Sequence, residues 1–118
     1  MRAQDALGRY GEDLAVDHLR AQGLTILDRN WRCRAGEIDV VARDGAALVI
    51  CEVKTRRSGA YGHPAEAVGP RKLRRMRELA LHWLDAQGLH VPEIRFDVIA
   101  IVQPLHGRPV LQHVRGVR

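Results

Sequence analysis

Apolar positions along the chain change period in a way that divides it into seven elements. Leu7, Tyr10, Leu14, Ala15, His18 and Leu19 fall near one stripe at helical spacing, with Asp5 able to cap the start and Gly23 suited to the exit. A first helix is expected over roughly 5–22. The run from Leu24 to Trp31 (LTILDRNW) fits a first strand that Asp28 and Asn30 weaken. Residues 36–43 (GEIDVVAR) and 46–55 (AALVICEVKT) are apolar, β-branched runs joined by Asp44-Gly45, a dipeptide that favours a two-residue hairpin turn.

From Arg57 to Gly69 the glycines, Pro64, Ser58 and Tyr61 give the pattern of an exposed loop. Pro70 suits the first position of a second helix whose stripe is Leu73, Met76, Leu79, Ala80, Trp83 and Leu84, ending near Gly88. Ile94 to Val102 (IRFDVIAIV) is another buried-looking strand, and VLQHV from Val110 can pair with it after the LHGRP turn. The order α-β-β-β-α-β-β implies an α/β fold with a mixed sheet flanked by helices. No repeat or linker divides the chain, so residues 1–118 are expected to form one domain, the size that 118 residues and one core allow.

Composition narrows the possibilities. With 46% hydrophobic and 28% charged residues the chain has globular rather than disordered character. No stretch approaches the roughly 18 apolar residues of a spanning helix, and MRAQDALGRYGED has no apolar signal core, so a cytoplasmic protein without a membrane partner is expected. Cys33 and Cys51 are too few and isolated for a disulfide framework, and no CxxC or HExxH spacing offers a zinc site.

The formal charge is +5, and 17 of the 19 basic residues are Arg. Placement tells more than the total: Lys54, Arg56, Arg57, Arg71, Lys72, Arg74, Arg75 and Arg77 stand against Glu66 alone between positions 54 and 77. A locally cationic segment permits a polyanionic partner.

The hairpin carries the chemistry. Side chains alternate along a strand, so Glu37 and Asp39 share one face of the second strand, and Ile50, Glu52 and Lys54 one face of the third. With Asp44 and Gly45 as the loop residues, Glu37 is expected opposite Glu52, and Asp39 opposite Ile50, all on one face. Asp39 and Glu52, diagonal neighbours at roughly 7–8 Å, would then reach a cation between them. Like charges so placed destabilise a sheet unless something positive offsets them. Lys54 is one candidate and a divalent ion with carboxylate ligands at about 2.0–2.6 Å another. The alternative is a solvated ion-pair ladder of Glu37, Glu52, Lys54 and Arg56. The nearly continuous apolar run LVICEV favours an interior strand. Cys51 alternates onto the opposite face from Glu52 and fits the core, and no Ser, Cys or His forms a nucleophilic triad pattern.

Asp39, a hairpin, then Glu52-x-Lys54 resembles the PD-(D/E)xK nuclease site, with GEID in place of the literal Pro-Asp. The wider pattern GRYGEDLAVDHL, GLTILDRNWRCRAGEIDVVARDG, VICEVKTRRSGAYGHPAEAV and RFDVIAI, over about residues 8–102, resembles the YraN-like family of small bacterial proteins. The resemblance implies a restriction-endonuclease-like fold, similar to archaeal Holliday-junction resolvases, which carry an additional Glu on the first helix; Glu12 matches it. It further implies a metal-dependent, structure-selective endonuclease for branched, flapped or distorted DNA. In that reading Asp39, Glu52 and the Val53 carbonyl hold Mg²⁺ or Mn²⁺, Glu12 and Glu37 complete or orient the coordination, and Lys54 positions water or neutralises phosphate.

Arg56, Arg57, Arg71, Lys72 and Arg75 are candidates for flanking phosphates, and Tyr61 and His63 for a distorted or unpaired base. A resolvase that cuts two strands wants a C2 homodimer. Two rival readings keep the fold and lose the chemistry: a non-catalytic nucleic-acid-binding module, and an adaptor whose segment from Arg57 to Val68 contacts a partner protein. Trp31 and Trp83 are expected in the core or a dimer contact, and His18 and His82 on ordinary amphipathic faces. Asp97, buried by pattern, is expected to orient a basic partner such as Lys72 or to accept backbone donors at a strand end.

Overall fold

The computed structural model describes residues 3–57 and 68–118, with side chains from residue 6 onward. The elements follow the expected order: α1 (Ala3–Ala21), β1 (Thr25–Cys33), β2 (Gly36–Asp44), β3 (Ala47–Arg57), α2 (Pro70–Gln87), β4 (Glu93–Gln103) and β5 (Val110–Val114). The strands form one mixed five-stranded sheet in the order β1-β2-β3-β4-β5. Only the β3–β4 pair is parallel. Its crossover contains α2, because two neighbouring strands can run the same way only if the chain returns between them.

Alternation sorts the apolar residues of the sheet onto its two faces. Val41, Leu48, Ile50, Phe96 and Val98 pack with Met76, Leu79 and Trp83 of α2. Val40, Ala42, Val49, Cys51, Ile99 and Ile101 pack with Ala15, Val16 and Leu19 of α1. Cys51 and Trp83 are core residues, 1% and 3% exposed. Helix α1 lies so close to β3 that a Cβ on Gly11 would overlap the Thr55 side chain. Glycine is the residue that permits that approach.

The hairpin differs from its expected register. Asp44 pairs with Ala47, leaving Gly45 and Ala46 as the turn, with Gly45 at φ 59°. Glu37 therefore does not oppose Glu52, nor Asp39 Ile50; Val41 opposes Ile50 and Val40 opposes Cys51. The cause is distant in sequence: Arg95 of β4 holds the Asp44 carboxylate at 2.8 Å and keeps that residue in the strand. Within the paired segment from Val40 to Asp44 a two-residue slip preserves which face each side chain takes, whereas a one-residue slip would have reversed it.

Past Val40 and Cys51 the two strands part. β2 stays with β1 through Trp31↔Ile38, Arg32↔Glu37 and Cys33↔Gly36, while β3 stays with β4 through Glu52↔Val98 to Arg57↔Gln103. Alternation breaks at the same level. Ile38 joins the α2 core but Val40 the α1 core, and Arg29 and Asn30, though consecutive, both bond Glu12 on α1. Asn30 absorbs the irregularity with φ 51°, a left-handed conformation that Asn tolerates better than most residues.

Candidate active site

The fork between β2 and β3 opens a cleft of about 1000 Å³ under the N-terminal half of α1. Glu12, Asn30, Arg32, Glu37, Asp39, Val53 and Lys54 are among the residues lining it. Asp39 stands at the point of the fork. Its Oδ2 accepts the Val53 backbone N–H at 2.8 Å, a donor that β2 would otherwise meet with a carbonyl. The aspartate thus completes the ladder by side chain and leaves its remaining acceptor capacity to the cleft.

Glu52 comes from the preceding position on β3. Its side chain is only 17% exposed, and its Oε1 meets the Lys72 ammonium of α2 at 2.7 Å and the Lys54 ammonium at 3.9 Å. Lys72 is thereby brought into the acidic group. Burial, and next the charge of Glu52, push the Asp39 carboxyl up to about 7; the Val53 hydrogen bond opposes the rise, while Glu12 and Glu37 add to it. Two carboxylates sharing a poorly hydrated site cannot both ionise at their ordinary value. An added cation would offset that repulsion.

Glu12 reaches the cleft from α1 and is buried, with its Oε1 bonded by Asn30 Nδ2 at 2.7 Å and Arg29 at 3.3 Å. Glu37 is exposed and pairs with Arg32, its cross-strand neighbour, at 3.5 Å. Both line the cleft with their charges already partnered, so they shape its potential from its walls. Among the described residues no three Asp, Glu, His or Cys side chains form a metal-ligand group. The donor set at the fork is narrower: the Asp39 and Glu52 carboxylates and the Val53 carbonyl. Hard oxygen donors of this kind suit Mg²⁺ or Mn²⁺, which keep several waters.

Of the basic candidates, Arg56 and Arg57 are exposed at the end of β3, and Arg71 and Arg75 are exposed on the first turns of α2. That helix begins at Pro70 with no acidic residue in its first turn and no side-chain cap at Gly69. Tyr61 and His63 lie outside the described residues.

Four residues of the site could not be assigned from the sequence. Arg29 and Asn30 orient Glu12, and Arg9 and Arg32 add positive charge to the cleft. The signal was present in DRNW, where polar residues interrupt an otherwise apolar strand. Asp28 of the same stretch accepts the Trp83 indole N–H at 3.0 Å and ties β1 to α2.

Asp97 finds partners other than Lys72. It is fully buried; Arg95 donates to both oxygens at 2.9 and 3.1 Å, His113 bonds it at 2.8 Å and the Gly116 N–H at 3.1 Å. Burial alone would raise its pKa, but His113, Arg95 and Gly116 hold it below the usual carboxylate value. His18 is no ordinary surface residue: its Nε2 lies 3.1 Å from Nδ1 of His113, extending the chain of contacts from β4 through β5 to α1. Burial, followed by the charges of His113 and Arg115, lowers the His18 pKa.

The fold and site are those of a small α/β protein with an acidic cleft in its mixed sheet, and sequence comparison gives its family. Residues 11–101 match the family described as "Uncharacterised protein family UPF0102". The chain is 57% identical to a UPF0102 protein of Streptomyces griseus, covering 99% of each chain. It is 57% identical to one of Kineococcus radiotolerans (99% and 97% covered) and 58% identical to one of Pseudarthrobacter chlorophenolicus (99% and 89%). The chain belongs to the UPF0102 family, the YraN family that its sequence resembles.

Proposed function

We propose that this protein is a metal-dependent endonuclease that hydrolyses phosphodiester bonds in branched, flapped or otherwise distorted DNA. The observation that supports this most is the convergence of Asp39, Glu52, Lys54 and Lys72 where β2 and β3 separate. Gathered carboxylates weaken a sheet, whereas metal-assisted phosphodiester hydrolysis is served by oxygen ligands for the ion with positive groups beside them. The likeness of Asp39, Glu52 and Lys54 to the PD-(D/E)xK pattern agrees with it.

In this reading Asp39, Glu52 and the Val53 carbonyl hold Mg²⁺ or Mn²⁺. The bound ion supplies Lewis acidity toward the phosphate and a water of lowered pKa. Asp39, fixed by the Val53 N–H, keeps one oxygen directed to the reacting centre. Lys54 orients the attacking water or offsets charge on the phosphate, and Lys72 holds Glu52 in place. Glu12, locked by Asn30 and Arg29, gives the far wall a fixed negative charge. Arg56, Arg57, Arg71 and Arg75 take flanking phosphates, and the uncapped start of α2 adds its positive end. Cutting two strands of a junction calls for two such sites, and we place them in a C2 homodimer.

The 2.7 Å Lys72–Glu52 pair favours a second reading. An ion pair that close already neutralises Glu52, as it would in a binding module that recognises nucleic acid and cuts nothing.

Incubating wild type and Glu52→Gln with duplex, flap and four-way-junction DNA separates the two readings. The nuclease reading expects cleavage of flap or junction with Mg²⁺ or Mn²⁺, none with EDTA, and at least a hundredfold loss in the variant, the scale on which removing one electrostatic partner of the transition state is felt. Equal binding by both proteins without cutting would establish the module. Cleavage that survives Glu52→Gln would contradict the mechanism.

A further inference from the structure

Beside the acidic cleft, and sharing Leu7 with it, lies a second hollow of about 490 Å³ lined by Ala6, Leu7, Tyr10, Arg57 and Gln103. Its walls come from three elements. The parallel register sets Arg57 beside Gln103 at the ends of β3 and β4, and α1 brings Tyr10 over them. The Tyr10 hydroxyl donates to Gln103 Oε1 at 2.8 Å, and Gln103 Nε2 donates to the Pro104 carbonyl at 3.2 Å. The phenol ring is therefore held from its polar end while it remains 39% exposed.

An aromatic face fixed by a hydrogen bond, an adjacent guanidinium and a largely apolar floor are the components with which proteins stack a nucleobase. The position suits such a ligand. Val53, which bonds Asp39, and Arg57 are four residues apart on one strand, about 13 Å at the rise of a β-strand. A short stretch of a single DNA strand spans that interval, with Lys54 beside its backbone. A base inside a duplex has both faces covered by its neighbours and cannot offer one to Tyr10.

We propose that this hollow binds an unpaired nucleobase of the strand whose phosphate lies at the Asp39–Glu52 cleft, and so selects single-stranded or unstacked DNA. The inference rests on the nuclease reading for the phosphate's position, and it is tested without cleavage. A single-stranded oligonucleotide carrying 2-aminopurine, and an otherwise identical one with abasic positions, are titrated in EDTA against wild type, Tyr10→Phe, Tyr10→Leu and Arg57→Gln.

Wild type and Tyr10→Phe quench the 2-aminopurine fluorescence. Tyr10→Leu loses the quenching and binds the base-bearing strand about tenfold more weakly, within the range of one base–aromatic stack. Its affinity for the abasic strand equals that of wild type. Arg57→Gln weakens both strands, more strongly the one with bases.

Quenching by Tyr10→Leu equal to wild type, or an equal loss on both oligonucleotides, would overturn the proposal. Quenching with no cleavage of flap or junction DNA in Mg²⁺ or Mn²⁺ would leave the base site standing and remove the nuclease reading. Cleavage without quenching would remove the base site alone.

Discussion

Asp39 concentrates the physics of the site in one side chain. Its ordinary pKa is 3.8, and in the fold burial and Glu52 raise it to about 7. Between those values the folded protein holds a proton that the unfolded chain has released, so this residue's contribution to stability declines as pH rises and is at its least favourable above about pH 7. Asp39→Asn keeps an acceptor for the Val53 N–H and removes the ionisation. Without divalent metal it should melt roughly 3–8 °C above wild type at pH 8, and with little difference near pH 4, by scanning calorimetry. Asp97 has the opposite sign. Its lowered pKa means that the stabilisation it gives is present at neutral pH and is lost as pH falls through its folded value. Asp97→Ala leaves Arg95 and His113 without their buried partner and should cost about 3–5 kcal/mol in urea unfolding at pH 7. The sequence made Asp39, Glu52 and Lys54 visible through spacing and resemblance, and Asp97 through its apolar surroundings. It could not show Arg95 or His113 as partners of Asp97, because neither has a periodicity or motif that points across the sheet.

Among the described residues, both helices and all five strands were legible from apolar periodicity, with ends displaced by up to two residues. The register of the hairpin was not. Asp44-Gly45 is a favourable turn by local preference, yet Arg95 draws Asp44 into the strand and moves the turn onward. Tertiary contact thereby overrides local chemistry. The fork between β2 and β3 was equally hidden, since it depends on the two strands parting at one level while each keeps its other neighbour, and on a left-handed Asn30. The contact of α1 with β3 offers a direct test of how the cleft's roof is held. Gly11→Ala inserts a methyl against Thr55 and should destabilise the protein by about 1–3 kcal/mol, the usual cost of overpacking. Thr55→Gly in the same chain, which removes the Thr55 Cβ as well as its hydroxyl and methyl, should reduce the cost of the added methyl, a coupling that a double-mutant cycle in urea reads out.

At the scale of the molecule, the acidic cleft has a basic rim among the described residues. Acidic groups gather at the fork, while Arg56, Arg57, Arg71 and Arg75 occupy the exposed ends of β3 and α2 around it. No helix among the described residues is long and apolar enough to cross a membrane. If the basic rim holds a DNA backbone, affinity falls linearly in log–log plots against salt. Replacing Arg71 and Arg75 together by Gln should weaken binding to every DNA sequence alike and reduce the slope by about 2, one for each phosphate no longer held. A slope unchanged by both substitutions would place the DNA elsewhere. The total charge of +5 could not have located this surface; the Lys72–Glu52 pair, which brings the start of α2 to β3, does so.

Titration calorimetry of Mn²⁺ into the metal-free protein tests most directly whether the fork is a cation site. One ion should bind per chain in wild type, and Asp39→Asn and Glu52→Gln should each weaken it at least tenfold, about 1.4 kcal/mol. A wild type that takes up no Mn²⁺, or variants that bind it as tightly, would show that Lys54 and Lys72 alone balance these carboxylates.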